Sequence, residues 1–228
     1  MRYLIKFRHG RRDQPKIALT FDDGPSMWTE SILDILKERS IPATFFLIPE
    51  NVEKLPDVAR RILAEGHEIG GHAHQPDGFS YAKALRTKAS AAAIRQSLEV
   101  AKEVLGLDLR FFRPSPELAF NRGTEKILLD LHLIPVLASA YSRVKKSPDM
   151  QAHDIVKGLR GGDIVLLHDG HDLFIDSSRP KDTIRILPSV IDAAKQKGLQ
   201  FVKVSELLDV PAYMSSFEAR MVDAIPFA

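Results

Sequence analysis

The sequence predicts an α/β protein whose architecture is a distorted barrel of about seven parallel strands. Short β-rich runs alternate along the chain with longer segments in which apolar residues recur every three or four positions. No internal repeat, low-complexity tract or linker interrupts that alternation, so the 228 residues read as one domain. Six polar residues, Asp22, Asp23, His72, His74, Arg113 and His168, each follow a predicted strand, and the C-terminal ends of strands are where barrels gather their functional side chains. An open doubly wound sheet gathers them likewise, so this clustering argues for a site more firmly than for the barrel.

The elements follow in order. Lys16–Phe21 (KIALTF) is a strand, Thr29–Glu38 a helix burying Ile32, Ile35 and Leu36, and Ala43–Leu47 a second strand. Pro56–Glu65 is a helix with Val58, Ile62 and Leu63 inward, ended by Gly66, and HEIG after it is a short strand. Ala93, Ile94, Leu98, Ala101 and Leu105 place a long helix within Tyr81–Leu105, and its Ala-rich middle favours helix by propensity alone. A strand ending at Phe112, a helix over Thr124–Leu131 and a strand at Pro135–Leu137 come next. Asp163–Leu167 (DIVLL) is the clearest strand, followed by a helix around Thr183–Lys197 and a last strand near Gln200–Val202.

Composition removes several classes of function. With 32 Lys+Arg against 30 Asp+Glu the net charge is only +2, which implies no nucleic-acid partner. The absence of cysteine excludes disulfides, a thiolate nucleophile, iron–sulfur clusters and Cys-ligated zinc, so any metal must be held by His, Asp or Glu. No stretch approaches the ~18 apolar residues of a membrane span. The N-terminus has no apolar signal core either, so the chain as given reads as soluble and unexported, with trimming of a longer precursor left open.

Four constellations could carry chemistry. Thr20-Phe21-Asp22-Asp23-Gly24-Pro25 ends an apolar strand with two acids. Adjacent carboxylates repel, and a cation on one would free the other as a base; a capped turn is the alternative. Gly66-His67-Glu68-Ile69-Gly70-Gly71-His72-Ala73-His74 puts His72 and His74 on one face if the segment is extended, able to share an ion with one Asp oxygen. Arg113, in FFRPSP, could orient a carboxylate through paired hydrogen bonds, or be an ordinary surface Arg. His168 leaves the apolar strand DIVLL beside Asp169 and could act as a general acid, or be a satisfied structural histidine.

Taken in order, TFDDGP, GHEIGGH, FRPSP and DIVLLHDG resemble the motif series of the NodB-homology polysaccharide deacetylases, carbohydrate esterases that remove N-acetyl groups from chitin-like and peptidoglycan sugars. The resemblance runs from about Lys16 to Leu208. It implies a distorted (β/α) barrel, a divalent metal, usually zinc, and attack by a metal-bound water on an amide carbonyl. By position it implies that Asp22 is the catalytic base, Asp23 and His72 metal ligands, Arg113 the base's partner and His168 the general acid. The implied substrate is an N-acetylated sugar or glycan. Oligomeric state is not implied.

Three departures stand out. The family's second metal His falls four residues after the first, where this chain has Pro76, so His74 is the expected ligand, with His171 or solvent as substitutes. The family's Arg-Pro-Pro-aromatic-Gly becomes Arg113-Pro114-Ser115-Pro116-Glu117, and Pro116 has no N–H to offer an oxyanion. The Trp that walls in the catalytic His is missing, which leaves Trp28, Pro114 and Tyr141 as expected substrate contacts, with Tyr81 and Phe174 as further aromatic candidates. These changes keep two other readings open: hydrolysis of a non-sugar amide, cyclic or formylated, and a carbohydrate-binding protein with impaired turnover.

Overall fold

The computed structural model describes residues 5–73, 88–114, 122–142, 146–170 and 178–223. Their elements are β1 (Lys16–Asp22), α1 (Thr29–Arg39), β2 (Thr44–Leu47), α2 (Pro49–Lys54), α3 (Pro56–Ala64), β3 (Glu68–Ala73), α4 (Lys88–Leu105), β4 (Phe111–Pro114), α5 (Arg122–Asp130), β5 (Ile134–Pro135), α6 (Pro148–Lys157), β6 (Ile164–His168), α7 (Arg179–Gln196), β7 (Gln200–Val202), α8 (Val204–Leu208) and α9 (Ser216–Asp223). All pairings between named strands are parallel, in the order β5-β4-β3-β2-β1-β6. β1 is central: β6 runs along Ala18–Asp22, β2 along Thr20–Asp22 and β7 along Lys16–Ala18. The sheet curls toward closure through isolated bridges, Phe7 to Val136 and Ala140 to Val165.

Strand periodicity sorts the side chains into two layers. Ile17, Leu19 and Phe21 of β1 face outward and join Phe45, Ile69, Val165 and Leu167 under the helices, where Ile32, Leu36, Ile62 and Val190 meet them. Ala18, Phe46, Phe111, Ile164 and Val202 form a separate interior core with Val136. Both faces of the sheet are therefore covered, which is why its strands are apolar almost throughout. At the lower end of the interior, Thr44 Oγ1 and the Ser205 N–H donate to Glu68 Oε1 at 3.1 and 3.3 Å.

The expected barrel class is observed, with corrections at element boundaries. β4 continues through Pro114, past the expected end at Phe112, and β6 includes His168. α7 begins at Arg179, four residues before the expected start. Ala59 and Ile62, not Val58, form the buried face of α3, and Leu33 is fully buried where Ile35 was expected. The expected long helix is described from Lys88; Tyr81 and the rest of that expectation lie outside the described residues. No described helix is long and apolar enough to cross a membrane.

Candidate active site

Register builds the site. Asp22 is the Cα partner of His168 across β1 and β6 and of Phe46 across β1 and β2, while His72 is the partner of Arg113 across β3 and β4. Partners in a parallel ladder point to the same face, and Gly70, two residues before His72, pairs with Phe46. Asp22, His72, Arg113 and His168 therefore all point into the mouth of the barrel. They occupy the last two positions of their strands, inside the sheet and not just beyond it as expected.

Asp23 would face outward if β1 simply continued. Its φ of 73° places it in the left-handed region, which Asp tolerates better than most residues. The turn brings its Oδ1 to 3.1 Å from His72 Nε2. His72 Nδ1 faces the Arg113 carbonyl at 2.5 Å, so Nδ1 donates there and Nε2 is the nitrogen aimed at Asp23. Burial opposes ionisation of Asp23, but the His72 hydrogen bond and the charges of His72, His168 and Arg179 hold its pKa well below the usual carboxylate range. Burial likewise opposes charge on His72, yet Asp23 and Asp22 push its pKa up to about 9.

Arg113 is buried and carries the other half of the site. Its Nη1 donates to Asp22 Oδ1 and to Thr20 Oγ1, both at 2.7 Å, and its Nε donates to the Val136 carbonyl at 2.9 Å. Thr20 Oγ1 passes its own proton to the Val165 carbonyl at 2.7 Å. The guanidinium lies 4.1 Å over the Phe46 ring, a cation–π contact in a dry interior. Gly70 makes room for that ring: a Cβ there would lie 2.6 Å from it. Gly71 makes room on the outer face, where a Cβ would come within 2.8 Å of Ser97 Oγ on α4.

His168 is half-buried, and loss of solvation lowers its pKa, against the raising influence of Asp23 and Asp22. Beside it, Asp169 is fully buried, and burial pushes its pKa up to about 8 against the hydrogen bond from Thr29. Arg179, from the first turn of α7, brings Nη1 to 3.8 Å from Asp23 Oδ2.

Of the expected site residues, the structure brings together Asp22, Asp23, His72, Arg113 and His168. His74, His171, Phe174, Ser115, Pro116 and Glu117 lie outside the described residues. Among the described residues no cluster of three or more His, Cys, Asp or Glu stands ready for a metal, so Asp23 and His72 are two members of the expected set of three. Pro114 is buried at the end of β4. Tyr141 is 58% exposed and lines one small cavity with His168, Arg179 and Thr183. Trp28 is half-buried, with Lys181 Nζ 5.2 Å from the centre of its ring. Sequence reasoning did not find Thr20, Phe46 or Arg179. The signal for Thr20 was present: it is the polar residue between Ala18 and Asp22 on the inward phase of β1.

The polysaccharide deacetylase family profile matches residues 9–135. A peptidoglycan-N-acetylglucosamine deacetylase of Bacillus cereus is 32% identical over 202 residues, 84% of this chain and 87% of that protein. The chain belongs to the polysaccharide deacetylase family. A bifunctional xylanase/deacetylase of Pseudobutyrivibrio xylanivorans is 33% identical over 215 residues, which are 92% of this chain but only 33% of that longer protein. A crystal structure of a peptidoglycan N-acetylglucosamine deacetylase superposes with a TM-score of 0.81 at 26% identity, covering 93% of this chain and 96% of the other.

Proposed function

We propose that this protein hydrolyses the amide of an N-acetylated sugar or glycan, with Asp22 as base, His168 as acid and a divalent metal, zinc first, at Asp23 and His72. The observation that carries this reading is the convergence of Asp22, Arg113, Asp23, His72 and His168 on one barrel mouth. The donor set fits a divalent cation: a carboxylate oxygen and an imidazole nitrogen face each other, with the second ring nitrogen engaged on a carbonyl. His74 is the proposed third ligand. A cation bound there would polarise the acyl carbonyl and acidify water.

The protein's own groups handle the protons. Arg113 engages Asp22 Oδ1, which orients the carboxylate and presents Oδ2 to a water molecule. Asp22 accepts one proton as the water oxygen bonds to the acyl carbon. The C–N bond then breaks as His168, in its protonated form, delivers a proton to the departing nitrogen. Acid help is essential there, because an amine expelled without a proton is a very poor leaving group. Trp28 and Tyr141 are the proposed sugar contacts, Tyr141 by its exposure beside His168, whereas Pro114, expected to join them, is buried on the strand phase opposite Arg113.

The test is metal content by elemental analysis followed by acetate release from N-acetylglucosamine oligomers, with and without a chelator. Bound metal and chelator-sensitive acetate release support the reading. Bound metal without acetate turns the assignment to a non-sugar amide, and neither turns it to a binding protein.

A further inference from the structure

We propose that Asp169 is a positioning residue: through Thr29 and Ser26 it locks the turn that carries Asp22 and Asp23 against the chain leaving His168. The assigned base, one proposed metal ligand and the assigned acid reach the site on two different segments, the end of β1 with the turn that follows it and the end of β6, and something must fix one against the other. The ladder between β1 and β6 ends at the Asp22–His168 pair. Beyond it, the N–H groups of Asp169 and Gly170 both donate to the Asp22 carbonyl, at 3.1 and 3.3 Å.

A closed hydrogen-bond circuit lies above that junction. Thr29 Oγ1 donates to Asp169 Oδ2 at 2.7 Å and accepts the Ser26 N–H at 2.8 Å. Ser26 Oγ donates to the Asp169 carbonyl at 2.5 Å and accepts the Trp28 N–H at 3.1 Å. Each hydroxyl thus gives one proton and takes one, and each bond spans either the turn or the gap between the two segments.

Steric fit repeats the message. A Cβ on Gly24 would lie 1.9 Å from Asp169 Oδ2, and one on Gly170 would lie 1.9 Å from the Asp23 carbonyl. Each segment carries a glycine where the other inserts a polar atom. Asp169 is completely buried, so its carboxyl touches neither substrate nor solvent and acts only through the groups it holds.

The proposal rests on the deacetylase reading for its kinetic arm alone. Thr29→Val keeps shape and removes the donor to Asp169, while Asp169→Asn keeps an acceptor for Thr29. Hydrogen exchange on the protein provides the first readout. In Thr29→Val the amides of Asp169 and Gly170 are expected to exchange at least about tenfold faster while those within β1 and β6 keep their protection. With N-acetylglucosamine oligomers as substrate, kcat is expected to fall about tenfold or more at nearly constant KM, since a small misplacement of reacting groups is costly. Asp169→Asn, which keeps the acceptor, is expected to leave both readouts near wild type.

Unchanged exchange at Asp169 and Gly170 in Thr29→Val overturns the proposal, as does uniform acceleration across β1 and β6, which marks a general structural role. An Asp169→Asn variant as impaired as Thr29→Val overturns it too. If the wild-type protein releases no acetate, the deacetylase reading fails, and the exchange experiment still decides the lock.

Discussion

Arg113 and Asp22 form a fully enclosed ion pair: Nη1 stands 2.7 Å from Oδ1, and only 3% and 5% of the two residues is exposed. Desolvating two charges is expensive, and this pair offsets the cost with bonds to Thr20 and Val136 and with the Phe46 ring beneath. Removing one partner leaves the other charge buried and alone. Arg113→Met is therefore expected to lower stability by about 3–5 kcal/mol. Urea unfolding of the two proteins checks this, and a difference under about 1 kcal/mol, the range of exposed pairs, would contradict the pairing.

Asp22→Asn removes the proposed proton acceptor and keeps the size of the side chain. Turnover is expected to fall by about 10²-fold or more. Zinc content is expected to stay at the wild-type level, because the proposed ligands, Asp23 and His72, are untouched. An Asp22→Asn variant with wild-type acetate release would remove the assigned base.

Metal binding is expected to be visible in stability. A ligand present at about a hundred times its dissociation constant stabilises the folded state by about 2.7 kcal/mol. Zinc should therefore raise the urea midpoint of the wild-type protein and a chelator should reverse it. His72→Ala, which removes the nitrogen 3.1 Å from Asp23, is expected to abolish that response. A zinc response that survives in His72→Ala would place the ion elsewhere.

Below the site, His67 gives the fold a pH dependence. Its Nδ1 accepts the Ala43 N–H at 3.2 Å and its ring meets Phe45 edge-on. Burial lowers its pKa from 6.5 to about 4, with Glu65 opposing and Lys203 assisting. The unfolded chain therefore binds the proton first: stability is fully present above about 6.5 and is lost as pH falls toward 4. Urea midpoints measured between pH 7 and pH 4 should fall, and His67→Gln, which keeps an acceptor but does not titrate, should flatten the slope. Equal slopes in the two proteins would show that other groups set the acid response.

Gly24→Ala is expected to destabilise by about 1–3 kcal/mol, the usual range for overpacking. The three nearest atoms in its way belong to the Asp169 carboxyl, so Asp169→Ala in the same chain should recover much of the loss. Strictly additive effects would deny the contact.

Much of this could be read before any coordinates. Asp22, Arg113 and His168 are polar residues that end apolar runs, and the inward phase of β1 places Asp22 above Thr20. What escaped reading depends on tertiary neighbours. The strand through Arg113 and Pro114 looked finished at Phe112 because a charge and a proline both disfavour strand interiors. Asp22 neutralises the charge, and Pro114 falls at the strand's last position. α2, α6 and the early start of α7 each have a proline in their opening turn, Pro49, Pro148 and Pro180, a start signal that was available and went unused. The reciprocal fit of Gly24 with Asp169 joins residues 145 positions apart and has no local signature.

The seam between β5 and β6 has a mechanical consequence. It is closed by isolated bridges, Ala140 to Val165 directly and the N-terminal segment through Phe7–Val136 and His9–Asp163, whereas β1 shares a five-residue ladder with β6. Under shear or heat the wall should part along that line first, carrying Tyr141 away with the loosened flap. Asp22, His72, Arg113 and His168 would remain on their own ladders, so the proposed contact through Tyr141 would be lost before the cluster of polar side chains disassembles.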